Sequence, residues 1–528
     1  MFRTFGLVVL LTAVFTALRA GASSCPNLAA LKIPDVRMIS AENVPAGRFT
    51  PSNSHASPMI LPTFCRVIAT IHSAVDAEVA VEVWLPDEAE WNGKFEGVGN
   101  GGYGGSISYQ AMGDALERHY ATASTDTGHE GDDLRFANGH PERIIDWGYR
   151  AIHLMTEMAR LIVRNYEGRF PKHSYFNGCS TGGGQALSEA QRFPSDYDGL
   201  LIGAPGNNRT HLNVGFLSAF AADHQSASSV FPTNKLPALH KAAVAACDRA
   251  DGIEDGIISD PMSCHFDPHA LLCTQGDNNA CLTSAQADTV QKIYAGPLNP
   301  RTHESIFPGY EPGSEASEED PNGGWKAYIT DPQEPMRLDF WRYWVFNDPM
   351  WDWHSFDYDR DVAYADQKMA AVNAISPELG PFEKAGGKII MYHGWADPVA
   401  PPRASINYFD RVIQAMGPAE AQRFMRLFMI PGMGHCGHGS APLPWPDNTQ
   451  TMDISRSPKV SGRTADDDFL DALDRWVDRG VAPETIQGSQ VVDSVLLRTR
   501  PICAYPMVAK WDRMGSSNKS ASFVCATK

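Results

Sequence analysis

Two short turns, each containing a cysteine, constrain the fold of this chain more than any other feature. Cys179 precedes Ser180 in a Gly-Cys-Ser-Thr-Gly turn, and His435 precedes Cys436 about 255 residues later. If Ser180 is a nucleophile and His435 is its base, their side chains lie about 2.6–3.2 Å apart. The neighbouring cysteines are then close as well, and a disulfide between them would fasten the two distant turns together.

The turn around Ser180 has the pattern of a nucleophile elbow. In Gly178-x-Ser180-x-Gly182, small neighbours surround a serine on a strained strand-to-helix turn. The sequence predicts a strand before the turn, over 173–177, and a helix after it, over 183–192. The alternative is a tight β–α turn in which the serine only caps the helix.

Strands and helices alternate in the segments that flank this turn. The rhythm predicts an α/β fold, an α/β-hydrolase with a mostly parallel sheet and helices on both faces. It breaks at about Gly206 and resumes at Gly387, and the residues between them are rich in Pro, Gly, Asp and Trp. We therefore predict a catalytic domain over 23–205 and 386–528, with a large inserted lid domain over 206–385.

The predicted lid contains a cluster of aromatic residues. We expect most of them to form the core of the lid, and one or two to line a pocket for a flat acyl group. The members are Trp341, Tyr343, Trp344, Phe346, Trp351, Trp353, Phe356 and Tyr358.

Candidates for the other catalytic residues follow two later strands. Asp397 comes after a buried strand, and His435 follows the next one, which gives the chain order Ser, Asp, His of α/β-hydrolases. His435 would take the proton of Ser180, and Asp397 would hold the imidazole and stabilise its charged form. His393 and His438 compete with His435 for the role of base, and Asp397 could instead only form a turn before a proline.

An oxyanion hole requires two backbone N–H groups. Thr181, directly after the nucleophile, would supply one of them. Gly101 and Gly102 are the candidates for the second, because bare backbone can approach a substrate there, and the sequence does not choose between them. A plain glycine turn is the alternative.

The N-terminus predicts a signal peptide over residues 1–22. Arg3 gives a positive start, residues 5–18 are mostly apolar, and Ala20-Gly21-Ala22 fits a cleavage site. The apolar run is too short for a membrane anchor. We therefore expect secretion to the extracellular space or the periplasm.

The net charge of −18 argues against nucleic-acid and anionic-membrane partners, because neither attracts an acidic surface.

In an oxidising compartment, the ten cysteines predict disulfides. Local clustering suggests three pairs, and elimination with the argument on Ser180 and His435 suggests two more. A zinc site is the alternative, but the chain has no CxxC pair. The predicted pairs are Cys247–Cys264, Cys273–Cys281, Cys503–Cys525, Cys25–Cys65 and Cys179–Cys436.

An acidic loop inside the predicted lid suggests a calcium site. Carboxylates recur at short spacing with glycines that bend the loop, and hard oxygen ligands suit calcium. The loop is not an EF-hand, and a solvated acidic loop is the alternative. The candidate ligands are the side chains of Asp248, Asp251 and Asp255 and the carbonyls of Ile253 and Ile257.

With these residues in hand, the chain resembles the tannase and feruloyl esterase family, which includes mono(hydroxyethyl) terephthalate hydrolase. The matching segments are 99–103, 124–129, 178–183, 247–257, 432–436 and 500–506. The resemblance implies an α/β-hydrolase with a lid, a Ser-Asp-His triad, a disulfide beside that triad and a structural calcium ion in the lid. It also supports the five cystine pairs, and it implies no organic cofactor.

These observations predict a secreted serine carboxylic ester hydrolase that acts on esters of aromatic acids. The preferred substrates are feruloyl (hydroxycinnamoyl) esters of plant cell-wall polysaccharides, or small aromatic esters. Galloyl esters, as cleaved by a tannase, and terephthalate monoesters are the alternatives. From other classes, a non-catalytic binding module with the same fold and a secreted peptidase remain open.

Overall fold

A computed structural model describes residues 23–51, 57–316, 323–439, 443–444, 464–492 and 495–527. The signal peptide predicted over 1–22 lies outside these residues. Within the described part of the chain, no helix combines the length and the apolarity needed to cross a membrane.

The strands are β1 (Val36–Val44), β2 (Gly47–Phe49), β3 (Met59–Leu61), β4 (Phe64–Ala74), β5 (Ala77–Pro86), β6 (Lys94–Val98), β7 (Ala121–Thr125), β8 (His173–Cys179), β9 (Gly199–Gly203), β10 (Lys388–Gly394), β11 (Met425–Ile430), β12 (Leu443–Pro444), β13 (Thr485–Val492), β14 (Val495–Cys503), β15 (Val508–Trp511) and β16 (Phe523–Ala526). The α-helices are α1 (Tyr109–Glu117), α2 (Pro141–Ile145), α3 (Ala151–Glu167), α4 (Thr181–Arg192), α5 (Arg209–Asp223), α6 (Leu236–Cys247), α7 (Ser284–Ala295), α8 (Arg360–Lys368), α9 (Gly380–Lys384), α10 (Arg403–Met416), α11 (Pro418–Phe424) and α12 (Phe469–Arg479).

A nine-stranded sheet in the order β1-β4-β5-β7-β6-β8-β9-β10-β11 forms the centre of the fold. The strands from β7 to β11 in this order pair in parallel, whereas β1, β4, β5 and β7 pair antiparallel. Every residue of β7 and β9 is buried, as expected for parallel strands covered on both faces. The predicted mostly parallel sheet is confirmed.

Helices cover the two faces of this sheet. Neighbouring residues of β8 point to opposite faces, so Tyr175 packs in the cluster that contains Trp476 of α12, and Phe176 packs in the cluster that contains Met155 of α3. Helix α12 begins after its cap, Asp468, whose carboxylate accepts the N–H groups of two residues in the first turn. The carboxyl ends of the parallel strands lie together at one edge of the sheet, between these two layers.

The segment between β9 and β10 contains helices α5 to α9 and, among its described residues, no strand. It is thus more helical than its composition suggests. Trp344 packs against Tyr103 and Trp147, and Trp341 is buried in the same cluster, so these aromatic residues form a core that joins the segment to the loop after β6. Phe382 packs into the core of the sheet. The domain boundaries at 206 and 385 stay a prediction.

Five disulfides join the ten cysteines. The bonds have the same five pairs as the sequence suggested. The longest closure in sequence is Cys179–Cys436, with a separation of 257 residues, and the Cα atoms of this pair lie 5.8 Å apart. This bond links the end of β8 to the turn after β11.

Candidate active site

Ser180 lies on a tight turn between β8 and α4, as the elbow pattern predicts. Its φ of 59° is in the left-handed region, which costs free energy for any residue with a Cβ. The turn leaves no room for larger neighbours, because a Cβ on Gly178 would lie 2.3 Å from the carbonyl oxygen of Gly182. The Ser180 N–H donates to the carbonyl of Gly203 across 2.9 Å, which fixes the turn to β9. The serine side chain is half-buried.

Asp397 and His435 form a hydrogen-bonded pair at the ends of β10 and β11. Nδ1 of His435 lies 2.7 Å from Oδ2 of Asp397. The other carboxylate oxygen accepts the N–H groups of Val399, at 2.7 Å, and Ala400, at 2.8 Å. Both residues are buried, and Asp397 has no exposed surface.

The ionisation of Asp397 follows from these contacts. Burial alone would raise the pKa of its carboxyl, but the charge and hydrogen bond of His435 and the hydrogen bond of His393 hold that pKa well below its usual range. The carboxylate can therefore only accept hydrogen bonds, so Nδ1 of His435 carries a proton. The Nε2 of neutral His435 is then the basic nitrogen.

His393, a competitor for the role of base, is instead a second partner of Asp397. Its Nε2 lies 3.0 Å from Oδ2 of Asp397 and 2.9 Å from the carbonyl of Ala400, and its Nδ1 lies 2.7 Å from the hydroxyl of Ser405. Both ring nitrogens are occupied and the side chain is fully buried. Its position therefore suits support of the acid rather than proton transfer.

The Cys179–Cys436 disulfide brings the turns that hold Ser180 and His435 side by side. Both cysteines are buried in a small cluster with Ala204. His438 was the other candidate for the base. Its backbone carbonyl accepts the N–H of Gly434 at 3.1 Å, and this bond closes the turn that contains His435. Ser180, Asp397 and His435 thus meet at one edge of the sheet.

The expected oxyanion donors lie beside Ser180. Thr181 is the first residue of α4, so its N–H has no acceptor within the helix. The Gly182 N–H donates to the carbonyl of Asn100 at 2.8 Å, and the Thr181 hydroxyl donates to the carbonyl of Gly102. These bonds hold the loop with Gly101 and Gly102 against the start of α4. The oxyanion roles of Thr181, Gly101 and Gly102 stay a prediction.

Two arginines lie next to this loop, and neither of them belongs to a sequence motif. The guanidinium groups of Arg209 and Arg337 lie 5.1 and 5.4 Å from the ring centroid of Tyr103. Arg337 pairs with Asp132, whose carboxylate also accepts the N–H of Tyr103 at 2.7 Å. One signal for Arg209 was available, namely a lone cation at the start of a mostly apolar helical segment.

Aromatic residues outside the predicted cluster also lie near the catalytic residues. Phe216 of α5 packs with Val399, which binds Asp397, and its ring centroid is 5.1 Å from that of Tyr328. Tyr310 is buried, and burial together with the charge of Asp397 raises the pKa of its hydroxyl. Because these contacts depend on how the segment between β9 and β10 folds over the sheet, sequence patterns did not reveal them.

Comparison with known proteins decides the class to which this site belongs. A model of the family "Tannase and feruloyl esterase" matches residues 65–526. The chain belongs to this family. It is therefore a carboxylic ester hydrolase with the α/β-hydrolase fold, and not a non-catalytic binding module.

Individual relatives of this family member are similar over nearly their whole length. An uncharacterised esterase of Xanthomonas campestris pv. campestris is 37% identical over 99% of this chain and 96% of its own length. A probable feruloyl esterase B-2 of Aspergillus terreus is 32% identical over 90% of each chain.

Solved structures agree with this assignment. Feruloyl esterase B from Aspergillus oryzae superposes with a TM-score of 0.87 at 29% sequence identity. The match covers 94% of this chain and 98% of the Aspergillus chain. Tannin acyl hydrolase from Aspergillus niger gives a TM-score of 0.74 at 21% identity over 94% and 92% of the two chains, which shows a common fold alone.

The acidic loop predicted to bind calcium lies between α6 and the disulfide to Cys264. The buried Asp248 accepts the N–H groups of Asp255 and Gly256, and Asp251 accepts that of Ile253. Asp255 also pairs with two arginines of β14, Arg498 at 2.9 Å and Arg500 at 2.8 Å. The donor set consists of hard oxygens, and an oxygen that accepts one hydrogen bond keeps a second lone pair. The type of donor therefore suits calcium, but among the described residues the carboxylate oxygens of Asp248, Asp251 and Asp255 do not all lie within 4.8 Å of one another. The calcium ion stays a prediction.

Proposed function

We propose that this enzyme is a secreted feruloyl esterase that hydrolyses hydroxycinnamoyl esters of plant cell-wall polysaccharides. The observation that carries the chemistry is the buried Asp397–His435 pair, held beside the Ser180 elbow by a disulfide. The substrate class is supported by relatives that are named feruloyl esterase B and are 29–32% identical over most of the chain. The tannase among the similar structures supports only the fold.

Ser180 is the proposed nucleophile. Its hydroxyl oxygen attacks the ester carbonyl while Nε2 of His435 takes the hydroxyl proton. Asp397 stays ionised, because its pKa is well below the usual range, and stabilises the imidazolium that forms. The Thr181 N–H and the N–H of Gly101 or Gly102 bind the negative oxygen of the tetrahedral intermediate.

The intermediate collapses when the bond between the carbonyl carbon and the leaving oxygen breaks. The imidazolium of His435 gives its proton to that oxygen, which leaves as the hydroxyl group of the sugar. A water molecule then attacks the acyl group on Ser180, gives one proton to His435, and the ester bond to Ser180 breaks. Ser180 regains the proton and the aromatic acid is released.

The acyl side of the substrate is expected to contact aromatic rings of the segment between β9 and β10. Tyr328 is half-buried and pairs with Phe216, which packs against Val399 next to the acid. Rings of this kind stack on a flat phenolic acid. We therefore propose that Tyr328 and Phe216, rather than the buried Trp341 and Trp344, help to line the acyl pocket.

We also propose a structural calcium ion in the loop between α6 and Cys264. Asp248, Asp251 and Asp255 and the carbonyls of Ile253 and Ile257 would hold it. When bound, the ion would cross-link the loop and take no part in the reaction. Secretion is supported by the five disulfides, which persist in oxidising compartments.

An acid-quenched reaction with methyl ferulate tests the proposed chemistry. Intact-mass and peptide-mass spectrometry should find one feruloyl group on the peptide that contains Ser180, and Ser180→Ala should remove it. Ser228→Ala is a matched control, because Ser228 is an exposed serine elsewhere in the chain. A feruloyl group on another residue, or steady turnover without any acylation, would contradict the mechanism.

A further inference from the structure

Arg209, the first residue of α5, is a buried cation beside the turn that holds Ser180. The residue is only 4% exposed. Among the described residues, no carboxylate lies within 4.0 Å of its guanidinium. The other buried arginines among the described residues are paired, Arg66 with Glu82 at 2.7 Å and Arg500 with Asp255 at 2.8 Å.

The placement of Arg209 is unfavourable for stability. A buried charge without an ionic partner loses its hydration without compensation, and a cation at the first residue of a helix also faces the positive end of the helix dipole. The nearby Asp132 is paired with Arg337, so within the described part of the chain one of the two positive charges around Tyr103 has no carboxylate partner. Such local costs are expected where function requires them.

The contacts of Arg209 lead directly to the expected oxyanion donors. Its Nη2 donates to Oγ1 of Thr181 across 2.6 Å, and the Thr181 hydroxyl donates onward to the carbonyl of Gly102. The guanidinium also lies 5.1 Å from the ring of Tyr103 and 5.2 Å from that of Trp147. These contacts leave its Nε without a hydrogen-bond partner among the described residues.

We propose that Arg209 is a positioning residue of the esterase site. It locks Thr181 to Gly102, and its uncompensated charge favours the negative charge that develops on the carbonyl oxygen of the substrate. The inference rests on the proposed function. Fixed charges act strongly here, because a buried site screens them much less than water does and they need no reorganisation during the reaction.

Two substitutions separate the charge from the hydrogen bond. Arg209→Gln keeps an N–H donor for Thr181 but removes the charge, whereas Arg209→Lys keeps the charge. Arg192 is a matched control at the far end of α4, about 18 Å along the helix from Ser180. It lies 4.5 Å from the ring of Tyr149 and donates to neutral acceptors, as Arg209 does.

The kinetic assay uses p-nitrophenyl acetate, so that it does not depend on the acyl specificity. Arg209→Gln should lower kcat by about 10- to 100-fold with little change in KM, because the lost interaction acts mainly in the transition state. Affinity for benzeneboronic acid, which forms a tetrahedral anion on a catalytic serine, should fall by a similar factor. Arg209→Lys should recover most of both, and Arg192→Gln should change neither.

Unchanged kcat in folded Arg209→Gln would overturn the proposal, and so would equal losses in the Gln and Lys variants. If Arg209→Gln does not fold, Arg209→Lys decides: boronate affinity within about threefold of wild type supports the proposal, and a loss above about tenfold overturns it. If the wild-type enzyme turns over no ester at all, the proposed function itself fails. If it does and the Gln variant matches it, only the role of Arg209 fails.

Discussion

Nε2 of His393 lies 3.0 Å from Oδ2 of Asp397, the same carboxylate oxygen that binds His435. The acid of the proposed triad is therefore held from two sides. Its orientation depends on a fully buried histidine that takes no part in the proton transfer.

We expect His393→Phe to lower kcat by at least about tenfold, because a displaced Asp397 no longer orients His435. His393→Asn keeps a donor and should lose less. His72→Phe, at a mostly exposed histidine of β4, is the control. Steady-state kinetics on methyl ferulate would measure the effect, and equal activity of the Phe and Asn variants would contradict it.

The same substitution predicts a pH dependence of stability. The lowered pKa of Asp397 contributes stability that is present above its unfolded value of 3.8 and is lost as the pH falls below it. His393→Phe should therefore reduce the free energy of unfolding at pH 7 and reduce it less at pH 3. Denaturant titrations at both values test this. A larger loss of unfolding free energy at pH 3 than at pH 7 would contradict this prediction.

Removal of the Cys179–Cys436 disulfide should affect activity more than secondary structure. We expect Cys179→Ala combined with Cys436→Ala to lower kcat by about 10- to 100-fold, because the turns of Ser180 and His435 lose their covalent link. The control removes Cys503–Cys525, which closes only 22 residues and should cost stability without loss of kcat. Circular dichroism and kinetics measure the two effects, and unchanged turnover would show that the bond does not position the triad.

Removal of calcium should lower the melting temperature, because an ion that binds only the folded state stabilises it. A chelator should reduce the Tm of the wild-type protein, and Asp248→Asn should abolish that response. Glu254→Gln is the control, since Glu254 is an exposed residue of the same loop outside the proposed ligand set. Elemental analysis provides the second readout. If no metal is bound and the Tm does not shift, the loop is a solvated acidic loop and not a calcium site.

Glu189 of α4 is buried, and an oxygen of its carboxylate lies within 4.8 Å of a carboxylate oxygen of Asp196. Burial and the charge of Asp196 raise the pKa of its carboxyl well above 4.5. The folded state therefore holds a proton that the unfolded state releases, so stability falls as the pH rises from about 4.5 to the folded pKa and stays reduced above it.

Glu189→Gln should remove this penalty. We expect its free energy of unfolding at pH 8 to exceed that of wild type by at least about 1.4 kcal/mol, the equivalent of a tenfold change in an equilibrium constant. The difference should vanish below pH 4.5. Glu157→Gln, at an exposed residue of α3, should change little. A destabilised Gln variant at pH 8 would indicate an ionised and well-compensated carboxylate.

Local sequence rules identified the parts of the fold that depend on local structure. The Ser180 elbow needs small neighbours at fixed offsets, and α12 is marked by Asp468 before it and Gly480 after it. The start of α3 is not a local feature of this kind. Residues 146–150 form a wider π-helical turn, in which Asp146 binds Ser73 and Arg150, and helical spacing alone does not distinguish the two.

The rest depends on contacts between distant residues. From the sequence, His393 could be considered only as an alternative catalytic base. Its contact with Asp397 arises from the turn that the chain makes after β10. Arg209 belongs to no sequence motif, since what singles it out is that no carboxylate of the described residues lies close to its guanidinium. The antiparallel strands β1 and β4 at the sheet edge were likewise not distinguished from other short apolar runs.

The most direct test of the account is the turnover of methyl ferulate and methyl gallate by the purified mature protein, measured side by side with Ser180→Ala. We predict efficient hydrolysis of methyl ferulate, weaker hydrolysis of methyl gallate, and loss of both in the variant. Preference for gallate would make the enzyme a tannase, and activity on neither would direct attention to terephthalate monoesters. Ferulate turnover that persists in Ser180→Ala would contradict the proposed mechanism itself.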